Sequence, residues 1–108
     1  MSDTLQRLYS VVRDRKENPR EGSYTCYLLD QGLDKILKKV GEECTETVIA
    51  AKNGVQADTV GEVADLIYHL MVLLVRQEIP LATVLEELDR RSEKIGNLKQ
   101  IRQTDRET

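Results

Sequence analysis

The fold is decided by residues 35–54, KILKKVGEECTETVIAAKNG, and by residues 61–70, GEVADLIYHL. Apolar side chains recur at helical spacing through the first stretch, and Gly54 supplies a glycine stop at its end. Around the second stretch, eleven of the thirteen residues from 63 to 75 are apolar or tyrosine, and only Asp65 and His69 interrupt the run. These patterns predict two long helices that lie antiparallel across a short turn with the sequence NGVQA.

The segments around this pair predict further elements. Apolar residues at helical spacing from Leu5 to Val12 indicate a first amphipathic helix. Residues 17–23, ENPREGS, end it, because proline and glycine oppose helix continuation. Residues 24–29 are compatible with a short strand, a loop or a helical turn. A last helix is predicted from about residue 81 to residue 95, with leucines, a valine and an isoleucine on its apolar side.

Two aspartates mark the expected beginnings of the long helices. Asp34 and Asp58 are predicted caps, since an aspartate side chain accepts hydrogen bonds from the free N–H groups of a first helical turn. The two helices should then end near Lys52 and Gln77. No strand pattern persists outside residues 24–29, so the predicted class is all-α.

Length and composition exclude several classes of protein. The 108 residues predict one domain, residues 1–96, followed by a charged tail, residues 97–108, that we expect to be disordered. A net charge of −3 with both signs interspersed argues against binding to nucleic acid. Four tyrosines, with no tryptophan or phenylalanine, are too few for a single-strand stacking platform. The chain has no apolar signal segment and no apolar stretch of membrane-spanning length, so we expect a cytoplasmic protein that binds no membrane.

One side of the first long helix is apolar when positions are projected at 100° per residue. The residues predicted to be buried on this side are Ile36, Val40, Cys44, Thr47, Val48 and Ala51. Cys44 is therefore predicted to be a small core residue. Cys26 and Cys44 lack the spacing of metal ligands, and both are predicted to be free thiols.

The second long helix is apolar on almost every side. Its polar groups lie on one narrow stripe formed by Glu62, Asp65, His69 and Arg76. A helix that is apolar nearly all round must be buried nearly all round. The other helices of one small chain cannot cover it. The sequence therefore predicts a helical bundle completed by a second copy of the chain, as a homodimer or higher homo-oligomer.

Carboxylates recur on the two long helices at the spacings E-x-x-E and E-x-x-D. The four residues are Glu43, Glu46, Glu62 and Asp65. Antiparallel helices would bring them to one level, and charges on a mostly buried helix require compensation. Hard divalent cations such as Mg²⁺ prefer oxygen ligands of this kind. The alternative is a solvated face of ion pairs, such as Lys38–Glu42 and Lys39–Glu43 at i, i+4.

Residues 23–54, SYTCYLLDQGLDKILKKVGEECTETVIAAKNG, followed by GEVADLIYHLMVLL, resemble the phosphoribosyl-ATP pyrophosphohydrolases. The resemblance extends from about Leu5 to Arg91. The paired acidic motifs are shared by the wider MazG-like superfamily of all-α NTP pyrophosphohydrolases, and SYT, KKVGEE and ADLIYHL narrow the resemblance to this family. It implies Mg²⁺-dependent hydrolysis of phosphoribosyl-ATP to phosphoribosyl-AMP and pyrophosphate, the second step of histidine biosynthesis, by a helical dimer or higher oligomer.

The resemblance also implies roles for individual residues. The expected metal ligands are Glu43, Glu46, Glu62 and Asp65. The expected catalytic carboxylates are Glu42, which activates water or holds a second metal ion, and Glu43. The residues expected near the triphosphate are Ser23, Thr25, Lys35 and Lys39. His69 is expected to support Asp65 one turn away, and Tyr68 is assigned to the core without a chemical role.

Two alternatives remain open on the sequence. One is a house-cleaning pyrophosphohydrolase that acts on non-standard nucleoside triphosphates with the same fold and metal site. The other is a non-catalytic helical dimerisation module, whose acidic face is a solvated surface.

Overall fold

The computed structural model describes residues 3–93 and Thr104. Within residues 3–93 the chain forms α-helices and no strand. The helices are α1 (Asp3–Glu17), α2 (Tyr24–Gln31), α3 (Leu33–Asn53), α4 (Gln56–Arg76) and α5 (Leu81–Ser92). The predicted all-α class is confirmed. In the part of the chain described, no helix has the length and apolar character needed to cross a membrane.

Two sequence predictions lie largely outside the described residues. The tail predicted for residues 97–108 is one of them, apart from Thr104, and the domain boundary after residue 96 falls there too. The other is the last turn predicted for α5, which included Ile95. Of the apolar side predicted for α5, Leu81 is buried and Leu85 packs on the core, whereas Leu88 is exposed.

The segment that the sequence left ambiguous is the short helix α2. Its first turn is capped by Ser23, whose side-chain oxygen accepts a hydrogen bond from the backbone N–H of Cys26 at 3.2 Å. The helix ends at Gly32, which has a φ of +95° and donates its N–H to the carbonyl of Leu28 at 3.1 Å. Leu28 is completely buried and fixes α2 to the core. The cap and this anchor favour a helix in so short a segment.

The long helices α3 and α4 form the predicted hairpin, but they begin earlier than predicted. Gly54 adopts a φ of +80° and its N–H bonds to the carbonyls of Ala50 and Ala51, which ends α3 as expected. Neither Asp34 nor Asp58 is a cap, because Gly32 and Val55 occupy the cap positions. Both aspartates lie instead in the first turn of their helix, where a negative charge is favourable for the helix dipole.

A single core joins the helices. α3 and α4 pack along each other, α1 packs against α4, and α2 contacts the other three. The buried apolar residues of this core are Tyr9, Val12, Leu28, Ile36, Met71, Val72, Val75 and Leu81. Tyr9 also donates its hydroxyl to the carbonyl of Ile79 at 2.9 Å, which ties α1 to the segment between α4 and α5.

The side of α3 that the sequence assigned to the core is only partly buried. Ile36 is buried, Val40 and Thr47 are half-buried, and Cys44, Val48 and Ala51 are exposed. The prediction that Cys44 is a core residue is therefore wrong for the single chain. α3 instead turns Ile36, Glu43 and Ala50, spaced seven residues apart, towards the interior. This rotation brings a carboxylate, rather than the apolar stripe, against α4.

Candidate active site

The acidic residues of α3 and α4 meet because the two helices are antiparallel about the Gly54 turn. Glu43 and Asp65 lie eleven residues before and after Gly54, and Glu46 and Glu62 lie eight before and after it. Equal distances from the turn place these residues opposite each other. One carboxylate oxygen each from Glu43, Glu62 and Asp65 lies within 4.8 Å of the other two. The spacing of the two motifs thus becomes a single cluster, named here the acidic cluster.

The acidic cluster contains buried oxygens without a partner. Glu43 is only 6% exposed. Among the described residues, Oε2 of Glu43 and Oε2 of Glu62 are buried and accept no hydrogen bond. A buried charged oxygen left unpaired is costly, and several of them within one cluster are what a cation would compensate. The donor set therefore fits a hard divalent ion such as Mg²⁺.

The pKa shifts of the cluster carboxyls also favour a bound cation. Burial raises the pKa of the Glu43 carboxyl, and the neighbouring Glu46 charge raises it further. A hydrogen bond shared with the Glu46 carboxyl, which requires a proton, raises the pKa of Glu62, and burial adds to the effect. Glu46 therefore lies next to the cluster, although the carboxylates closest to one another are those of Glu43, Glu62 and Asp65. A cation would have the opposite effect on every one of these carboxyls.

A cavity of about 410 Å³ opens beside the cluster, in the groove between α3 and α4. Glu46, Glu62 and Asp65 line one end of it, and Asn53 and Asp58 line the end near the turn. Small residues such as Gly61 form its walls. The carboxylates are therefore accessible from this groove.

Glu42 and the two predicted phosphate-binding lysines lie on the α2 side of α3. Glu42 is exposed and forms an ion pair with Lys39, with 3.2 Å between Nζ and Oε1. Its hydrogen bond from Lys39 lowers the pKa of Glu42. Lys35 places its ammonium 5.7 Å from the ring centroid of Tyr27. The structure thus separates Glu42 from the acidic cluster and groups it with positive charge.

The predicted phosphate-binding hydroxyls already have partners within the chain. Ser23 caps α2 as described above. The Thr25 hydroxyl is hydrogen-bonded to the hydroxyl of Tyr68 on α4. A hydroxyl has one donor and two acceptor positions, so each retains hydrogen-bonding capacity for a ligand. Tyr68, which the sequence assigned to the core, is half-buried and shares this contact.

His69 is held in a defined tautomer beside the cluster. Its Nδ1 lies 2.7 Å from the backbone carbonyl of Asp65, and a carbonyl can only accept. Nδ1 therefore carries a proton, and in the neutral imidazole Nε2 accepts from the hydroxyl of Tyr24 at 3.0 Å. His69 does contact Asp65 one turn away, as predicted, but the contact is to the main-chain carbonyl and not to the carboxylate. His69 is 5% exposed, so this chain of contacts is internal.

Sequence reasoning missed Tyr24 and Tyr27. They lie three residues apart on α2 and share a face of that helix, next to His69 and Lys35 respectively. Their i, i+3 spacing indicates a common face only if residues 24–29 are helical, and the sequence left the structure of that segment open.

Comparison with known proteins identifies the family. The family described as phosphoribosyl-ATP pyrophosphohydrolase matches residues 5–92. The chain is 53% identical over 97 residues to the "Phosphoribosyl-ATP pyrophosphatase" of Clostridium novyi (strain NT), which covers 90% of this chain and 88% of that protein. It is 57% identical over 95 residues to the protein of the same name from Listeria monocytogenes serotype 4a (strain HCC23), covering 88% of this chain and 91% of the relative. With an all-α hairpin that gathers its acidic motifs, and with relatives of this similarity, the chain belongs to the phosphoribosyl-ATP pyrophosphohydrolase family.

Proposed function

We propose that the chain hydrolyses the α–β phosphoanhydride of phosphoribosyl-ATP, giving phosphoribosyl-AMP and pyrophosphate in the second step of histidine biosynthesis. Family membership and the names of relatives such as the Clostridium novyi protein support the substrate. The observation that carries the chemistry is the acidic cluster with its buried, unpaired Glu43 oxygen. A non-catalytic module would have no reason to bury such a group, since removing its charge would stabilise the fold.

In this proposal, four carboxylates hold Mg²⁺. They are Glu43, Glu46, Glu62 and Asp65. When bound, the ion supplies charge neutralisation for the phosphate oxygens and orients the attacking water. The carboxylates would hold the ion from two helices, α3 and α4, and His69 contacts the backbone carbonyl of Asp65 beside them.

Residues on the α2 side of the cluster would bind the polyphosphate. Lys35 and Lys39 lie one turn apart on α3 and would neutralise the departing pyrophosphate. Ser23 and Thr25 would donate hydrogen bonds to the same oxygens. Both hydroxyls lie at the start of α2, where the free N–H groups of a first helical turn favour an anion.

Glu42 or Glu43 would take the proton from the attacking water. The water oxygen bonds to phosphorus while the bridging P–O bond breaks, and its proton passes to the carboxylate. Glu42 is ionised over a wide pH range because Lys39 lowers its pKa. Glu43 has the higher proton affinity and lies within the cluster itself. An Mg²⁺ ion would lower the proton affinity of Glu43, and the ion pair with Lys39 lowers that of Glu42, so the two carboxylates remain alternatives for this role.

The test is pyrophosphate release from phosphoribosyl-ATP, with ATP and dUTP alongside, each in Mg²⁺ and in EDTA. We expect Mg²⁺-dependent hydrolysis of phosphoribosyl-ATP only. Hydrolysis of the simple triphosphates instead would move the function to nucleotide-pool cleansing at the same site. No release from any substrate by folded protein would contradict the enzymatic function.

We also propose that the active protein is a homodimer or higher homo-oligomer. The side of the α3–α4 hairpin that faces away from the core exposes large apolar residues, which are Leu37, Val48, Val55, Val60 and Val63. Val48 and Val60 are 62% and 60% exposed. So many exposed apolar side chains on one pair of helices favour an interaction site, and a second copy would bury both helices as the sequence predicted.

Sedimentation velocity would test this assembly. Val48→Glu introduces a charge on the apolar side of α3 and should shift the protein towards monomer. Gln6→Glu places the same charge at an exposed position of α1, outside the hairpin, and should leave the mass unchanged. A wild-type monomer at micromolar concentration would contradict the proposal.

A further inference from the structure

Three of the four tyrosines of the chain lie together, beside the acidic cluster. These are Tyr24, Tyr27 and Tyr68, named here the tyrosine column. We propose that the tyrosine column is the platform on which the purine ring of the nucleotide stacks. The inference rests on the proposed function, in that it takes the substrate to be a nucleotide, and it assigns the base-recognition surface of that site.

The rings are ordered in a defined way. Tyr24 is the middle member, with ring centroids 6.2 Å from Tyr27 and 6.1 Å from Tyr68. The planes are inclined by 24° and 27°, which is an offset stack. Tyr68 forms the inner end, half-buried and bonded to Thr25. Tyr27 forms the outer end and, like Tyr24, is 45% exposed. The column therefore leads from the protein interior to an exposed aromatic ring.

The column lies between the acidic cluster and positive charge. On one side, Tyr24 bonds to His69, which bonds to the carbonyl of Asp65. On the other side, the Lys35 ammonium lies 5.7 Å from the Tyr27 ring centroid. A nucleotide combines a planar base with a polyphosphate that binds both metal ions and ammonium groups. The tyrosine rings match the base of a nucleotide, and the acidic cluster and the Lys35 ammonium on either side of them match its polyphosphate.

A purely structural role does not account for the outer ring. α2 is anchored by Leu28, which is completely buried, and by the contacts of Tyr24 and Thr25 with α4. Tyr27 adds no stack to α4 among the described residues. Tyr9, by contrast, has the features of a structural tyrosine, being 8% exposed and bonded to a backbone carbonyl. The recorded ring contacts of Tyr27 are those with Tyr24 and the Lys35 ammonium, and nearly half of its surface is exposed to a ligand.

The absence of tryptophan gives a direct readout, because the intrinsic fluorescence of the chain comes from its four tyrosines. The experiment titrates the Mg²⁺-loaded protein with AMP, with ribose 5-phosphate and with pyrophosphate, and measures tyrosine quenching and calorimetric affinity. N-acetyltyrosinamide in the same solutions corrects for light absorbed by AMP. We expect saturable quenching by AMP and none by the two ligands that lack a base.

Substitutions at the outer ring separate stacking from folding. Tyr27→Leu should weaken AMP by about 5- to 150-fold, the range for loss of one base stack, while the affinity for pyrophosphate stays unchanged. Tyr27→Phe keeps the ring and should bind AMP within about twofold of wild type. Tyr9→Phe is the matched control away from the column and should quench normally. In turnover, Tyr27→Leu should raise KM for phosphoribosyl-ATP more than it lowers kcat.

Three results would overturn the proposal. One is AMP affinity unchanged in Tyr27→Leu, which would place the base elsewhere. Another is equal weakening of AMP and pyrophosphate, which would make the ring structural. A third is a change in the dimer dissociation constant of Tyr27→Leu with AMP binding intact, which would make the ring an interface residue. The proposed function fails separately: AMP would still quench, but no Mg²⁺-dependent hydrolysis of phosphoribosyl-ATP would occur.

Discussion

Replacing Glu43 by glutamine should stabilise the metal-free protein and abolish its response to Mg²⁺. The glutamine has nearly the same volume but carries no charge, and its amide can donate to the neighbouring carboxylates. A buried unsatisfied polar group costs about 1–3 kcal/mol, and more when it is charged. Glu43 is 6% exposed with an unpaired oxygen, so we expect the variant to gain at least about 1 kcal/mol in EDTA.

This gain has a measurable size. For a domain of this length, each kcal/mol shifts Tm by roughly 4–8 °C. Wild type should gain about 2.7 kcal/mol at an Mg²⁺ concentration 100 times its Kd, and the variant should gain almost nothing. The order of stability reverses where the Mg²⁺ contribution of about 2.7 kcal/mol exceeds the variant's gain: the variant then melts higher in EDTA, and wild type melts higher in saturating Mg²⁺.

The assay is thermal unfolding by circular dichroism in EDTA and in a series of Mg²⁺ concentrations, at one fixed protein concentration because oligomers melt according to concentration. Glu86→Gln, an exposed carboxylate on α5, is the matched control and should behave as wild type in both conditions. A loss of about 3–5 kcal/mol by Glu43→Gln in EDTA would refute the reasoning. That result would mean that Glu43 belongs to a satisfied buried ion pair.

Three further predictions concern the protonation of the acidic cluster, the Gly54 turn and the burial of Leu28. The raised pKa values of Glu43 and Glu62 mean that the metal-free native state binds more protons than the unfolded chain, so stability in EDTA should fall as pH rises above the ordinary value of 4.5. The stability gained from Mg²⁺ should grow over the same range. Melting curves between about pH 5 and pH 7 test both trends, and a rise of stability with pH in EDTA would contradict them. Gly54→Ala forces a side chain into the left-handed region at φ +80° and should cost about 1–2 kcal/mol in urea unfolding without changing Mg²⁺ affinity; an unchanged midpoint would show that the turn relaxes. Leu28→Ala should cost about 2–5 kcal/mol, because the side chain is completely buried, and a cost below about 1 kcal/mol would mean that α2 is not fixed by this residue.

The sequence was sufficient for the long elements and for the level at which the acidic motifs meet. The α3–α4 hairpin follows from a long helical pattern on each side of a glycine stop, and equal distances from the turn then pair Glu43 with Asp65 and Glu46 with Glu62. It was insufficient for α2, because a segment of eight residues has too few turns to show a period. Its cap at Ser23 and its contacts with α4 decide its structure.

The helix starts and the rotation of α3 were also beyond the sequence. Asp34 and Asp58 are suitable caps in isolation, but Gly32, which ends α2, occupies the cap position of α3, and Val55 occupies that of α4, so both helices begin before these aspartates. The apolar stripe of α3 is real, yet it includes Val48, which is exposed. A hydrophobic pattern predicts that one side of a helix is buried, but it does not indicate whether the same chain or another copy buries it.

Residue patterns along the chain are therefore enough for local and periodic features, namely the all-α class, the hairpin and four carboxylates at one level. The packing of the helices sets how side chains from separate helices face one another. It left the Glu43 oxygen buried without a partner, drew Glu42 to Lys39, and brought Tyr24 of α2 to His69 of α4. Spacing along one helix fixes the direction of a side chain relative to that helix, whereas burial and partnership depend on the packing of all helices together.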